Sequence, residues 1–381
     1  MKFFYGKQHI NSKDQKKVLE VLKSDYLTQG PKIDIFEKKL INKFGSKYSI
    51  AVSSGSAALH LIAKALNWGK NDTILTSPIT FVSTANCIEH VGAKTDFVDI
   101  DEDTYTIDPN RLEDKCKKAK KKGSKFKAVI AIDYAGHPCD WQSLKYLANK
   151  YKFQLINDNC HAIGAKYKKM SNYAAKYALA VSHSYHPVKN ITTGEGGSVL
   201  TNDKILNNKI RLLRSHGMLR NDPKKPWFYS VDDIGFNYRI TDMQSALGIS
   251  QLSQLSKFIS KRNTIASYYM SYFKNNEKIK LPIEGKDIKH AYHLFPILLN
   301  LKKIKKTKSE IFIDLRKKNI FLQVHYIPVH MHSYYKKKYG FKKGDFPVSE
   351  DFYEREISLP IYFDLNLKNQ KYLCKTIEKI L

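Results

Sequence analysis

The sequence predicts an α/β protein: a mostly parallel sheet flanked by helices, followed by a smaller C-terminal α+β unit. Two observations predict it. From residue 48, short apolar runs alternate with amphipathic helical segments, the rhythm of strands joined by helical crossovers. Near residue 250 the chain turns to Lys-rich helical segments with isolated apolar runs. A chain of 381 residues has room for about two domains at roughly 100–200 residues each. The expected division is 1–250 and 251–381.

The elements follow in order. A helix is expected over Asn11 to Ser24, with Val18, Leu19, Val21 and Leu22 as its apolar face. The turn Leu27-Thr28-Gln29-Gly30-Pro31 ends it. Ile33, Phe36, Leu40, Ile41 and Phe44 then recur at i, i+3, i+4 spacing in a second helix. Strands are expected at 48–52, 73–76, 94–98, 128–134 and 154–157, with helices at 56–66, 83–91 and 140–151. Residues 178–201 break the pattern and read as shorter, antiparallel strands joined by a polar loop. Long helices are expected from Asp203 and on past Thr241. The runs 293–300 (HLFPILLN) and 321–326 (FLQVHY) read as strands of a second, smaller sheet. In parallel sheets, ligands bind at the carboxyl ends of the strands.

Composition narrows the classes. Hydrophobic residues make up 42% and charged residues 27%, enough apolar surface for a large core and too much for a disordered chain. With 18 Gly and 12 Pro, collagen is excluded. No apolar run approaches the ~18 residues of a membrane span. The N-terminal MKFFYGKQHINSKDQKK loses its apolar character after Tyr5, short of the roughly 7–15 apolar residues of a signal peptide. A cytoplasmic location is expected. The five cysteines are odd in number and form no C-x-x-C pair, which points to free thiols, with no disulfide framework and no metal site.

The net charge is 65 − 36 = +29, a value that raises nucleic acid as a partner. Only eight of the basic residues are Arg, the residue that reads bases and grips phosphate bidentately. The lysine clusters are scattered at 117–127, 302–308 and 336–343. A solvated surface with some pull on anionic substrates is the expectation, with no nucleic-acid partner.

Three segments carry chemistry. In Ser53-Ser54-Gly55-Ser56-Ala57, between a strand and a helix, the N–H groups of Ser56 and Ala57 and the Ser56 hydroxyl suit a phosphate at a helix start; an ordinary serine N-cap is the alternative. In Asn157-Asp158-Asn159-Cys160-His161, Asp158 falls just beyond a buried strand, where a carboxylate needs a partner such as a protonated pyridine nitrogen. His161 can share that crevice, and Cys160 reads as packing. A role for Asp158 as a turn cap stays open. In Ser184-Tyr185-His186-Pro187-Val188-Lys189-Asn190-Ile191-Thr192-Thr193-Gly194-Glu195-Gly196-Gly197, Lys189 is the one lysine of a loop poor in charge. Shielded from water, it becomes a nucleophile toward carbonyl carbon. Ser184 can reach the phosphate bound by Ser56. The alternative is a surface hairpin with an ordinary lysine.

In this order the segments resemble the fold-type I pyridoxal-phosphate enzymes. S-Y-H-P-V-K-N-I-T-T-G-E-G-G is similar to the lysine signature of the DegT/DnrJ/EryC1/StrS sugar aminotransferases. S-S-G-S-A-A-L-H-L, S-P-I-T-F-V-S-T-A-N and I-G-F-N-Y-R-I-T-D-M-Q-S-A-L-G resemble other segments of that family. Leu27 to Gly30, Arg214 to Met218, Gln323 to Tyr326 and Glu356 to Pro360 resemble its PseC-type branch, which works in pseudaminic acid synthesis.

The resemblance implies roles. Lys189 would hold pyridoxal 5'-phosphate covalently and shuttle protons. Asp158 would pair with the ring nitrogen and His161 would sit beside the ring. Ser56, Ala57 and Ser184 would bind the phosphate, and Phe81 would stack on the ring. Asn237 would reach the phosphate in the neighbouring subunit of a homodimer. Tyr5, Tyr26, Leu27, Thr28, Gln29 and Tyr326 would contact the substrate, with His325 and Tyr326 either facing the cleft or packing in the core. The implied reaction moves an amino group from L-glutamate to C4 of a UDP-linked 4-keto-6-deoxy sugar. A C4 aminotransferase for another nucleotide-linked keto sugar is the alternative. A dehydratase of the same fold carries His in place of Lys189, and a regulatory protein that had lost activity is expected to lack Lys189 or Asp158.

Overall fold

The computed structural model describes residues 2–220 and 223–381. Its main sheet has seven strands in the order Tyr48–Val52, Gly197–Thr201, Ala180–Ser184, Gln154–Asp158, Ala128–Ile132, Thr73–Thr76, Lys94–Phe97. Gly197–Thr201 runs antiparallel to both of its neighbours. The other pairings are parallel. The expected mostly parallel sheet, with a reversal between 178 and 201, is present.

Burial on both faces explains why the central strands read as unbroken apolar runs. Val129, Ala131, Leu155 and Val181 enter one core layer, with the helices Pro31–Phe44 and Trp141–Tyr151. Their neighbours Ala128, Ile130, Ile156 and Ala180 point the other way, onto the helices Gly55–Ala65 and Lys204–Arg214. This is the period-2 alternation of a strand.

A helix of 32 residues, Asp242–Phe273, starts at a capping box formed by Thr241 and Gln244. Leu252, Leu255, Phe258 and Ile259 pack into the sheet's core. Ile265, Ala266, Tyr269 and Phe273 pack into a separate core built on Ile279–Lys280, Phe295–Leu299 and Glu356–Leu359. A division of the chain at residue 250 falls inside this helix. The N-terminal strand Phe3–Phe4 pairs in parallel with Ile320–Phe321, and Phe3 belongs to the second core.

Several expectations need correction. The first helix, Ser12–Leu22, buries Asp14 and Val21, while Leu19 and Leu22 are exposed. Asp14 takes hydrogen bonds from the Asn11 backbone and the Gln251 amide, and this fixes which face turns inward. A helix over Pro109–Lys121 was not expected. Asp108 caps it, Pro109 opens it and only Leu112 and Cys116 are buried, so its lysines mask the apolar stripe. Of 321–326 only Phe321 lies in a strand, Ile320–Phe321, because beyond it the His325 N–H goes to the Glu356 carboxylate. Helix does not continue from 203 to 241. It stops at Arg214; Met218–Leu219 then pairs antiparallel with Ser230–Val231, and isolated bridges join Asn237 to Ser215 and Arg239 to Val52. Gly217 turns the chain there at φ +71°, where a Cβ would lie 1.8 Å from the Asp233 carbonyl oxygen.

Candidate active site

The strand register brings the three chemical segments together. Val52 and Ser184 both pair with Gly197, and Asp158 ends its strand alongside Ser182. The Ser54, Asp158 and Lys189 segments therefore leave the sheet together, at the carboxyl ends of their strands. They border a cavity of about 570 Å³ whose walls include Ser56, Phe81, Asp158, His161, Ser184 and Lys189 from the large sheet's loops. Tyr5, His293, Gln323, His325 and Tyr326 close it from the other side.

At the helix start, Ser54 is the N-cap and takes the Ala57 N–H at 3.0 Å. The serine-cap reading thus holds for Ser54, and Ser56 is left facing the cavity. Ala57 is buried and its N–H is taken by the cap, so a phosphate here would compete for that donor. Gly55 lets the helix end approach the next strand. A Cβ on it would lie 2.8 Å from the Ser184 Cβ. A helix N-terminus, two serine hydroxyls and the dipole suit an anion at this spot.

Asp158 is nearly buried. The Thr84 hydroxyl donates to its Oδ2 at 2.7 Å, and the Cys160 N–H to its Oδ1 at 3.2 Å. Thr80 in turn bonds Thr84 at 2.9 Å. The Cys160 N–H bond is the local turn contact expected of a cap, yet the carboxylate also faces the cavity. Sequence reasoning missed Thr84; its place one turn before Cys87 on a helix reads as ordinary polar periodicity.

Lys189 lies in a loop that is mostly inside. Asn190, Ile191, Thr192 and Thr193 are buried, and the Asn190 amide donates to the Ile163 carbonyl at 3.0 Å. The surface-hairpin alternative is excluded. Lys189 Nζ lies 3.4 Å from His293 Nε2. Burial lowers the Lys189 pKa, with Cys160 and Asp158 opposing. Burial and the Lys189 charge also push His161, His293 and His325 down, the first two well below the usual histidine range and His325 to about 3. Three neutral imidazoles therefore surround the amine.

His161 is held at both nitrogens. The Ala135 N–H donates to Nδ1 at 3.3 Å, so the proton is on Nε2, 3.1 Å from the Tyr326 hydroxyl. Its ring lies 4.5 Å from that of His293. Cys160 lines the cavity, and burial pushes its thiol well up, with Asp158 adding to the shift. It is an unreactive thiol. All five cysteines are free.

Not every expected residue reaches this cavity. Tyr26, Leu27, Thr28 and Gln29 are exposed. Their segment is tied to the start of the long helix by the Thr28–Thr241 bridge and by the Asp242 N–H to the Leu27 carbonyl at 3.0 Å. Asn237 is also exposed, on the same extended stretch. Among the described residues no His/Cys/Asp/Glu group is arranged to hold a metal, and no helix is long and apolar enough to cross a membrane.

Residues 8–378 match the DegT/DnrJ/EryC1/StrS aminotransferase family, and the chain belongs to it. It is 37% identical over 378 residues, 99% of this chain and 97% of that protein, to a UDP-4-amino-4,6-dideoxy-N-acetyl-beta-L-altrosamine transaminase of Campylobacter jejuni. It is also 37% identical over 364 residues, 94% of this chain and 92% of the relative, to the spore coat polysaccharide biosynthesis protein SpsC of Bacillus subtilis. The structure of Helicobacter pylori PseC, an aminotransferase of pseudaminic acid biosynthesis, superposes with a TM-score of 0.91 at 34% identity. It covers 100% of this chain and 99% of that one. The chain is thus a sugar aminotransferase of the pyridoxal-phosphate class.

Proposed function

We propose that this aminotransferase moves an amino group from L-glutamate to C4 of a UDP-linked 4-keto-6-deoxy-N-acetyl hexose. The observation that carries the reading is one cavity bordered by an anion-suited helix start, an oriented carboxylate and a half-buried lysine. The residues fit pyridoxal 5'-phosphate: Ser56 and Ser184 would hold its phosphate, Asp158 would pair with its ring nitrogen, Phe81 and His161 would flank its ring, and Lys189 would bind it covalently. Bound there, the cofactor supplies an electron-withdrawing ring that carries nitrogen from donor to acceptor.

The residues then have distinct tasks. Asp158, aimed by Thr84, keeps a proton on the ring nitrogen. Lys189 would hold the cofactor covalently and, once free, would serve as the general acid/base that takes a proton from the substrate carbon and later returns it. Glutamate leaves as its 2-oxo acid, and the ketone oxygen leaves as water when nitrogen takes its place. The cavity shares the wall of Phe81, Gln323, Val324 and Tyr326 with an outer groove that carries Lys308 and Arg316. Those cations suit a diphosphate whose sugar points at Lys189.

The partner reading also has support. Trp227, Phe228, Tyr229, Val231 and Ile234 are exposed beside Asn237, an apolar patch of the kind that pairs with another surface. A homodimer that packs this arm on its partner would carry Asn237 and the Tyr26–Gln29 segment to the partner's cavity. The test is amination of UDP-linked 4-keto sugars of both C5 configurations, with L-glutamate and the holoenzyme, followed by mass and NMR analysis. An amino sugar from either substrate supports the reading, and the one preferred assigns the sugar. Glutamate-dependent amination of neither overturns it.

A further inference from the structure

We propose that Glu356, acting through Ser358, holds His325 in the tautomer with its proton on Nδ1, so that the ring presents a bare, proton-accepting Nε2 to the cavity beside Lys189. Glu356 and Ser358 are positioning residues; His325 is the group that meets the substrate.

The chain of contacts is closed on one side. Glu356 is fully buried. The His325 N–H donates to its Oε2 at 2.9 Å, and Ser358 Oγ lies 2.6 Å from its Oε1. Ionised, as it is above its pKa of about 7, the carboxylate has no proton to give and can only accept at both oxygens. The Ser358 proton must therefore point at Glu356. That leaves only lone pairs on Ser358 Oγ for His325 Nδ1, 2.9 Å away. Nδ1 has to be the donor, and in a neutral imidazole Nε2 then carries no proton.

The rest of the surroundings fit. His325 is neutral, its pKa lowered by burial and by the Lys189 charge. Among the described residues no hydrogen bond reaches its Nε2, although the residue lines the cavity. Tyr134 OH donates to the His325 carbonyl, and the Tyr5 ring packs on the imidazole with centroids 4.7 Å apart. The ring is therefore fixed in place as well as in tautomer. Burial pushes the Glu356 pKa up to about 7, with Ser358, the His325 N–H and Lys308 opposing. The cost of burying this carboxylate is large for a purely structural cap. A hydroxyl or amide N–H of the sugar is the donor that a bare Nε2 would take.

A sign test follows from Glu356→Gln. The His325 N–H still requires the amide oxygen, which turns the amide NH2 toward Ser358. The serine must then donate to Nδ1, and the proton moves to Nε2. The proposal rests on the aminotransferase reading only for what His325 faces, so its primary readout is independent of activity. In the holoenzyme labelled with 15N-histidine and held well above the Glu356 pKa of about 7, with His325 assigned by its loss in His325→Gln, the wild type should show the Nδ1–H tautomer. Glu356→Gln should convert it to Nε2–H, and kcat should fall by roughly ten- to a hundredfold, as for a mis-set proton acceptor. Should Glu356→Gln not fold, Ser358→Ala should mix the tautomers and Ser358→Thr, which keeps the hydroxyl, should restore Nδ1–H. An Nε2–H tautomer in the wild type overturns the proposal. So does a tautomer unmoved by both Glu356→Gln and Ser358→Ala. The expected tautomers in a protein without transaminase activity uphold the relay and overturn the functional reading instead.

Discussion

Lys189 Nζ and His293 Nε2 lie 3.4 Å apart although 104 positions separate them in the chain. The lysine comes from a loop of the seven-stranded sheet, and the histidine from the approach to the second sheet. The lysine's environment is thus made jointly by both cores. Burial and the Lys189 charge push the His293 pKa well below the usual range, so its imidazole is neutral beside the amine, and its Nδ1 has no partner among the described residues.

Lys189 should titrate early. Burial lowers its pKa, so the neutral amine appears at lower pH than in surface lysines. In the cofactor-free protein, labelling by an amine-selective reagent, read by peptide mass, should reach half its maximal rate at lower pH for Lys189 than for the exposed lysines. A profile matching theirs would remove the basis for a primed nucleophile. Lys189→Ala should leave the protein folded and reduce transamination by at least about a hundredfold.

Asp158→Asn should retain cofactor, because Ser56, Ser184 and the helix start are untouched. Turnover should still drop by roughly a hundredfold or more. An amide cannot hold a proton on the ring nitrogen, so the substrate carbon becomes harder to deprotonate. Near wild-type kcat would reduce Asp158 to a cap for the Cys160 N–H.

Asn237→Ala and Lys189→Ala should each be inactive yet complement one another when co-expressed. One site of the mixed dimer then has Lys189 from one chain and Asn237 from the other, while its second site carries both lesions. Activity should recover to about a quarter of wild type if the chains pair at random, since half the dimers carry one intact site of two. Dead mixed dimers, proven by differential tagging, would refute shared sites.

Glu37→Ala should destabilise the fold without touching the cavity. The buried carboxylate joins Arg211 at 2.7 Å, Arg214 at 3.0 Å and the Ala51 N–H at 2.8 Å. Removing it strands Arg214 and a strand N–H, at a cost of about 3 kcal/mol. The urea midpoint, followed by circular dichroism, should fall accordingly. An unchanged midpoint would show that the arginines find solvent instead.

What the sequence by itself determined is local. The strand 128–132 was legible as a fully buried apolar run, 48–52, 73–76 and 154–158 from short apolar stretches, and the edge strand 94–97 from alternating burial. The Ser56, Asp158 and Lys189 segments were legible because each joins a strand end to a chemical group within a few residues. Pro109–Lys121 was not, because its two buried side chains are outnumbered by solvated lysines. The tertiary structure alone decided which distant groups share a space. Thr84 behind Asp158, His293 against Lys189 and Glu356 behind His325 are joined by sheet register and by the packing of one long helix across two cores, and neither leaves a periodic trace. The same reason separates the outcomes for the outlying residues. Tyr5 and Tyr326 reach the cavity from a cluster with Ile132, Tyr134 and Leu294 between the two sheets, whereas Asn237 and the Tyr26–Gln29 segment stay on the surface of a single chain, where only a second chain would give them a site.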